Sequence, residues 1–200
     1  MEKLYSREYA IAQSRQFPPS HLRKMDAALS IRPTDRVLEI GSGNGSLLSI
    51  LKTRSNNVVG LDINPLVEDH PLVIGDGRHL PFRGGAFDVV ISSHTLEHID
   101  DLQTVFEEID RVTKPGGKGF HLFPANVFTK AEGAIFDAIR MYGPNIAKAW
   151  REAHKMHIHS LNPRKVQSFI QGTNLSLVGA TRFFVPETFG TNYAVLLEKG

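Results

Sequence analysis

The sequence contains no cysteine. That excludes disulfides, thiolate metal sites and cysteine nucleophiles, and it suits a reducing, cytoplasmic setting. Charge of one sign is also scarce. The net charge is +2 with nine histidines counted as neutral, so no strong field draws nucleic acid or an acidic membrane. No apolar run approaches the length that spans a bilayer. The first residues, MEKLYSREYAIAQSR, lack the apolar core of a signal peptide, and Glu2 and Glu8 argue against a transit peptide. Internal repeats and low-complexity segments are lacking too. What remains is 200 residues, 41% hydrophobic and 22% charged, the make-up of one soluble domain (1–200) with a sizeable core.

Residues 36–62 organise the chain. Val37–Ile40 is a short apolar run of the kind that forms a strand buried on both faces. It breaks into Gly41-Ser42-Gly43-Asn44-Gly45, after which Leu47, Leu48 and Leu51 recur at helical spacing. A second apolar run, Val58–Leu61, closes on Asp62. Strand, glycine loop, helix, strand and acid make half of a doubly wound nucleotide-binding sheet. The glycines allow the strand to turn straight into a helix and a ligand to come close to the main chain. Asp62, at the tip of the second strand, is placed to accept hydrogen bonds from both hydroxyls of a ribose.

The spacing separates two ligands. A dinucleotide site carries G-x-G-x-x-G, because the helix amino end receives a pyrophosphate. Here the pattern is G-x-G-x-G, and Ser46 stands where the third glycine would fall. Glu39, just before the loop, repels a pyrophosphate and suits an ammonium. A nucleoside joined to an amino acid describes S-adenosylmethionine.

This stretch resembles motifs I and II of the class I S-adenosylmethionine-dependent methyltransferases. Later segments continue the resemblance in order. IGDGRHLPF (74–82) is similar to the third motif, FDVVISSHTLEHI (87–99) to the fourth-strand segment, and RVTKPGGKGFHLF (111–123) to the helix, turn and strand that follow. The likeness is close over 33–123 and looser over 157–199. It implies an α/β, Rossmann-like, doubly wound seven-stranded sheet in the order 3-2-1-4-5-7-6, with the last strand antiparallel. It also implies a cofactor site lined by Glu39, Gly41, Ser42, Gly43, Asp62, Ile63, Asp76, Gly77, Ser93 and His94. In it Asp76 accepts from the adenine amino group, and Ser93 and His94 lie beside the methionine part. The Asp/Asn-Pro-Pro-Tyr-like motif of the DNA amino-methylating members is absent after the fourth strand.

The rest of the chain supplies cover. Residues 3–16 read as a helix carrying Tyr5 and Tyr9, ended by Pro18-Pro19; Ser20 is the expected cap of a second helix over 21–30. A helix over 101–113 turns Val105, Ile109 and Val112 inward and stops at Pro115-Gly116-Gly117. Residues 124–156 depart from the alternation and read as a helical insert after strand five, two helices over 129–142 and 145–155. Its stripe of Ala131, Ile135, Ile139 and Tyr142 fits a lid over an apolar pocket. Asn162 caps a last helix that begins at Pro163, and strands follow over 175–185 and 192–199.

Function follows from the cofactor. Methyl transfer needs two reactants held in near-attack geometry, so the absence of a catalytic triad does not count against activity. The expected acceptor is a small molecule; nucleic acid is not a partner and no metal is needed. The catalytic residue is unassigned. His98 reads as a structural histidine or a general base, and His154, His157 and His159 read as substrate contacts before metal ligands. Two rivals stand beside the methyltransferase. One is a cofactor-binding but non-catalytic subunit or interaction module. The other is a nicotinamide oxidoreductase, which the loop spacing and Glu39 disfavour.

Overall fold

A computed structural model describes residues 17–64, 71–125, 158–186 and 190–200. Seven strands form one sheet: β1 (Arg36–Ile40), β2 (Asn57–Asp62), β3 (Leu72–Ile74), β4 (Phe87–Ser93), β5 (Thr113–Pro124), β6 (Leu175–Val185) and β7 (Gly190–Lys199). Their order is β3-β2-β1-β4-β5-β7-β6. The pairs β1–β2, β1–β4, β2–β3 and β4–β5 are parallel, and β7 runs antiparallel to both β5 and β6. This is the order and direction that the resemblance implied.

Alternation along the strands builds two cores, one on each face. Val37, Val89, Ile91, Phe120 and Leu122 pack against Met25 of helix α1 (Pro19–Ala28), against Leu29 just past its end, and against Leu47, Leu48 and Leu51 of helix α2 (Ser46–Leu51). Leu38, Ile40, Val90 and Phe123 face the other way. They meet helix α3 (Leu102–Val112) and helix α4 (Pro163–Phe169) through Phe106, Ile109, Val112 and Val166. Each such fully buried side chain contributes about 1.5–3 kcal/mol before the cost of ordering it. Glu39 therefore points to the α1–α2 face, where its strand neighbours are apolar.

Local chemistry sets the helix ends. Asp101 caps α3, its carboxylate accepting from the Thr104 amide at 3.2 Å. Asn162 caps α4 by accepting from the Lys165 amide at 3.0 Å, and Pro163 opens the helix. Two expectations need correction. Helix α1 starts at Pro19, not at 21; Pro18 stands at its cap, and Ser20 lies buried inside the first turn without capping. A proline at the first helical position has no amide to satisfy, which allows the earlier start. Pro115-Gly116-Gly117 also does not stop α3. The helix ends at Val112, Thr113 donates its hydroxyl back to the Ile109 carbonyl, and the chain enters β5 directly. The glycines instead fall where the β4–β5 register shifts, with Gly116 at a φ of 73°.

The expected helices over 3–16, 129–142 and 145–155 lie outside the described residues, as do His154 and His157. Among the described residues, no helix is long and apolar enough to cross a membrane.

Candidate functional site

The glycine loop leaves β1 through a left-handed turn. Gly41, Gly43 and Gly45 have φ values of 76°, 48° and 70°. The amides of Gly41 and Ser42 both donate to the Leu61 carbonyl, at 2.7 and 3.1 Å, which ties the loop to the end of β2. Gly41 is required for a second reason. A Cβ there would lie 2.1 Å from Thr95 Oγ1 and 2.4 Å from Thr95 Cγ2, so this glycine is pressed by the segment after β4 rather than by a ligand. Gly43 is the contrasting case. Nothing stands within 4 Å of where its Cβ would be, so its main chain faces open space.

Three acids reach this carboxyl edge, in three different states. Asp62 accepts from the Gly43 amide through Oδ2 and from the Asn64 amide through Oδ1, both at 2.8 Å. It therefore braces the glycine loop and keeps lone pairs to spare. Asp76 is held by Arg78, whose guanidinium donates to both carboxylate oxygens at 2.6–3.1 Å. Those bonds hold the Asp76 carboxyl below its ordinary range. Arg78 also reaches Asp100 at 2.6 Å.

Glu39 differs from both. It is 3% exposed, and its Oε2 has no hydrogen-bond partner. Burial, and then the charge of Asp62, push its carboxyl well above the usual range. Ser42, also buried, has an unpartnered hydroxyl. Gly77 is buried against Ile40 and Ile99, and the apolar Ile63 is exposed.

A polar cluster occupies the neighbouring part of the edge. His94 follows β4 with a φ of 53°, the only non-glycine in the left-handed region among the described residues. Its amide donates to the Leu122 carbonyl at 2.9 Å. Its ring stacks on His21 of α1, with centroids 5.3 Å apart. Asn192 Nδ2, at the start of β7, lies 2.9 Å from His94 Nε2 and 2.7 Å from His21 Nε2, one N–H for each imidazole. The other ring nitrogen of His94, Nδ1, lies 3.5 Å from Glu97 Oε1. His98 Nε2 lies 4.0 Å from the same oxygen. His94 itself is 40% exposed at its side chain, while Glu97, Asn192 and His21 are buried.

These features agree with what the chain resembles in known proteins. The family described as Methyltransferase domain matches residues 38–120, from β1 to the middle of β5. The likeness is to this segment, which is under half of the chain. The chain is 33% identical over 96 residues to a demethylmenaquinone methyltransferase of Corynebacterium urealyticum, covering 45% of this chain and 42% of that protein. A second demethylmenaquinone methyltransferase, from Streptomyces griseus, is 33% identical over 104 residues, covering 48% and 45%. The chain thus spans about half the length of the curated relatives it matches. In three dimensions it is similar to an S-adenosylmethionine-dependent methyltransferase of Mesorhizobium loti, with a TM-score of 0.67 at 15% identity, covering 90% of this chain and 98% of that one. The fold is therefore that of the methyltransferases over its full seven strands.

All ten expected site residues lie at or just past the carboxyl ends of β1–β4. Thr95, Arg78, Glu97, His21 and Asn192 were not expected. The Leu-Glu-His sequence marked His98 alone, and nothing local marks His21 or Asn192. His98 is half-buried in a 3-10 turn, Leu96–His98. His159 does not join the cluster, since its Nε2 faces the Asp100 carbonyl at 3.0 Å.

Proposed function

We propose that this chain transfers the methyl group of S-adenosylmethionine to a small-molecule acceptor. The observation that carries this reading is Glu39, a buried carboxyl group with an oxygen lacking any donor, beside a glycine loop whose outer face is open. Leaving such a group unsatisfied costs about 1–3 kcal/mol or more, and a ligand that brings a cation offsets the cost. The amino-acid ammonium of S-adenosylmethionine is that cation; the pyrophosphate of a dinucleotide is its opposite. The donor set fits the rest of the ligand. Asp62 would take the ribose hydroxyls on the lone pairs not used by Gly43 and Asn64. Asp76 would take the adenine amino group, Ile63 and Gly77 would border the base, and Ser42, Ser93 and His94 would flank the amino-acid end.

When bound, the cofactor supplies an electrophilic methyl group, so the protein is left with binding, orientation and exclusion of water. Asp62 orients twice, once through the loop it braces and once through the ribose. Thr95 packs the segment after β4 onto Gly41, which sets the acceptor side against the cofactor side. The described residues on either side of 126–157 both meet this edge. Ala125 donates its amide to Thr191, next to Asn192, and the amides of Ile158 and His159 both donate to the Glu97 carbonyl. Relatives named demethylmenaquinone methyltransferase favour a small molecule over a polymer as acceptor. One domain over 1–200, acting in the cytoplasm, belongs to the same reading.

Calorimetric titration with S-adenosylhomocysteine, with a nicotinamide dinucleotide as control, tests it. Micromolar binding of the first alone is expected. Failure of S-adenosylhomocysteine to bind overturns the reading, and binding of the dinucleotide alone replaces it with an oxidoreductase.

A further inference from the structure

Resting on that cofactor reading, we infer that Glu39 is a proton-exchanging specificity residue: it binds the ligand's ammonium and releases its own proton to solvent in the same event. The geometry leaves little choice. Glu39 sits one residue before the carboxyl end of β1, flanked in register by Gly60 of β2 and Ile91 of β4. Neither neighbour offers a side-chain donor. On the same face stand Val37, Val89 and Ile91, and α1 and α2 close that face with Met25, Leu47 and Leu48.

The elements around it carry Asp62 at the end of β2, Asp88 at the start of β4, His94 past the end of β4, and His21, Arg23, Lys24 and Asp26 on α1. Of these, Asp62 acts on Glu39 electrostatically, and it does so as a like charge. An ionised Glu39 would thus be buried, without a donor and facing another anion. Each of these three conditions favours the protonated acid in the empty site.

An arriving ammonium reverses each of them. It supplies N–H donors to the orphaned oxygen, neutralises the charge and offsets the field of Asp62. The balance is simple. The Glu39 O–H bond breaks, the electron pair stays on the carboxylate, the proton goes to buffer, and the ammonium keeps all its own protons. At Glu39 itself the ammonium's positive charge takes the place of the departing proton's. A nucleoside without the amino acid gains nothing from Glu39, and this makes the residue a discriminator between nucleoside thioethers with and without a charged tail.

Calorimetry in buffers of differing ionisation enthalpy reads the proton directly. Two ligands are compared between about pH 6 and 8: S-adenosylhomocysteine, and 5′-deoxy-5′-methylthioadenosine, the same nucleoside thioether lacking the amino acid. The expected result is release of up to about one proton with the first and none with the second. Glu39→Gln, which has the shape of the protonated acid and cannot ionise, abolishes the release. It weakens S-adenosylhomocysteine about ten- to hundredfold and leaves methylthioadenosine unchanged. Binding of S-adenosylhomocysteine without proton release at any pH in the window overturns the inference and leaves the cofactor reading intact. Equal release with both ligands also overturns it, since the proton then comes from elsewhere. If neither nucleoside binds, the cofactor reading fails and the inference fails with it.

Discussion

The two halves of the sheet's carboxyl edge are built on different length scales. On the β1–β3 side, the partners that position Asp62 and Asp76 are near in sequence: Asn64 and Arg78 are each two residues away, and Gly43 is 19 away. On the β4–β7 side, His94 meets Asn192 across 98 residues and His21 meets Asn192 across 171. The first half is a loop that organises itself once its strands pair. The second is a meeting point of a helix, a turn and the last strand. The glycine-loop half thus rests on local geometry, whereas the imidazole half rests on the completed tertiary fold.

Acid should break the second half first, and this is the largest effect. His121 of β5 is fully buried, bonded to Ser92 at 2.8 Å, and burial lowers its pKa to about 3. The unfolded chain takes up a proton there below about pH 6.5 and the native chain does not. The stability due to this neutral histidine is therefore complete above pH 6.5 and is lost as pH falls toward 3. The loss approaches about 1.4 kcal/mol per pH unit, roughly 4–5 kcal/mol across the window. Urea unfolding of wild type and His121→Leu at a series of pH values should show the variant losing less stability on acidification. Parallel curves would mean that His121 is protonated in the native state.

Gly41→Ala tests the seam between the halves. The new methyl collides with Thr95 and is forced into a left-handed conformation, so the variant should lose about 3 kcal/mol in urea unfolding. Thr95→Gly in the same chain should recover the part due to collision and not the roughly 1 kcal/mol of backbone strain. Simple additivity of the two changes would show that Thr95 is not what presses on Gly41.

Two smaller effects sharpen the contrast. Asp62→Ala should weaken S-adenosylhomocysteine about ten- to hundredfold by calorimetry, through the loss of charge-assisted hydrogen bonds worth roughly 1.5–3 kcal/mol. Asn192→Leu should cost about 1–2 kcal/mol of stability by leaving buried polar groups of the imidazole cluster without their amide, and should leave S-adenosylhomocysteine affinity close to wild type. A large loss of nucleoside affinity in Asn192→Leu would show that the halves are not separable.

The same difference in length scale decides how much could be read from the sequence. The glycine loop, Glu39 and Asp62 are legible because turn chemistry and strand period are local, and a backbone that needs φ > 0 asks for glycine by name. The sheet order came through the family resemblance, since no local signal pairs β7 with both β5 and β6. Asp76 was legible as an acid at a strand end, but its engagement by Arg78 was not: a guanidinium two residues away has many rotamers, and only the fold selects one. His21 and Asn192 carried no signal at all. One sits on an otherwise ordinary covering helix and the other at the start of an apolar strand. Ser20 and Pro115-Gly116-Gly117 were misread because good cap and breaker residues are permissive. They allow an end without enforcing it.

The insertion of β7 between β5 and β6 also sets an order of events during folding. β6 is hydrogen-bonded in the sheet through β7 alone, so it cannot join until the strand that follows it has docked on β5. Pairings so distant in the chain carry the larger loop-closure cost and form late. On this ground a refolding chain is expected to complete its glycine loop and the Asp62 brace before Asn192 arrives to join the two imidazoles. In time as in space, the glycine-loop half comes first, and the imidazole half is the last step by which the native protein is reached.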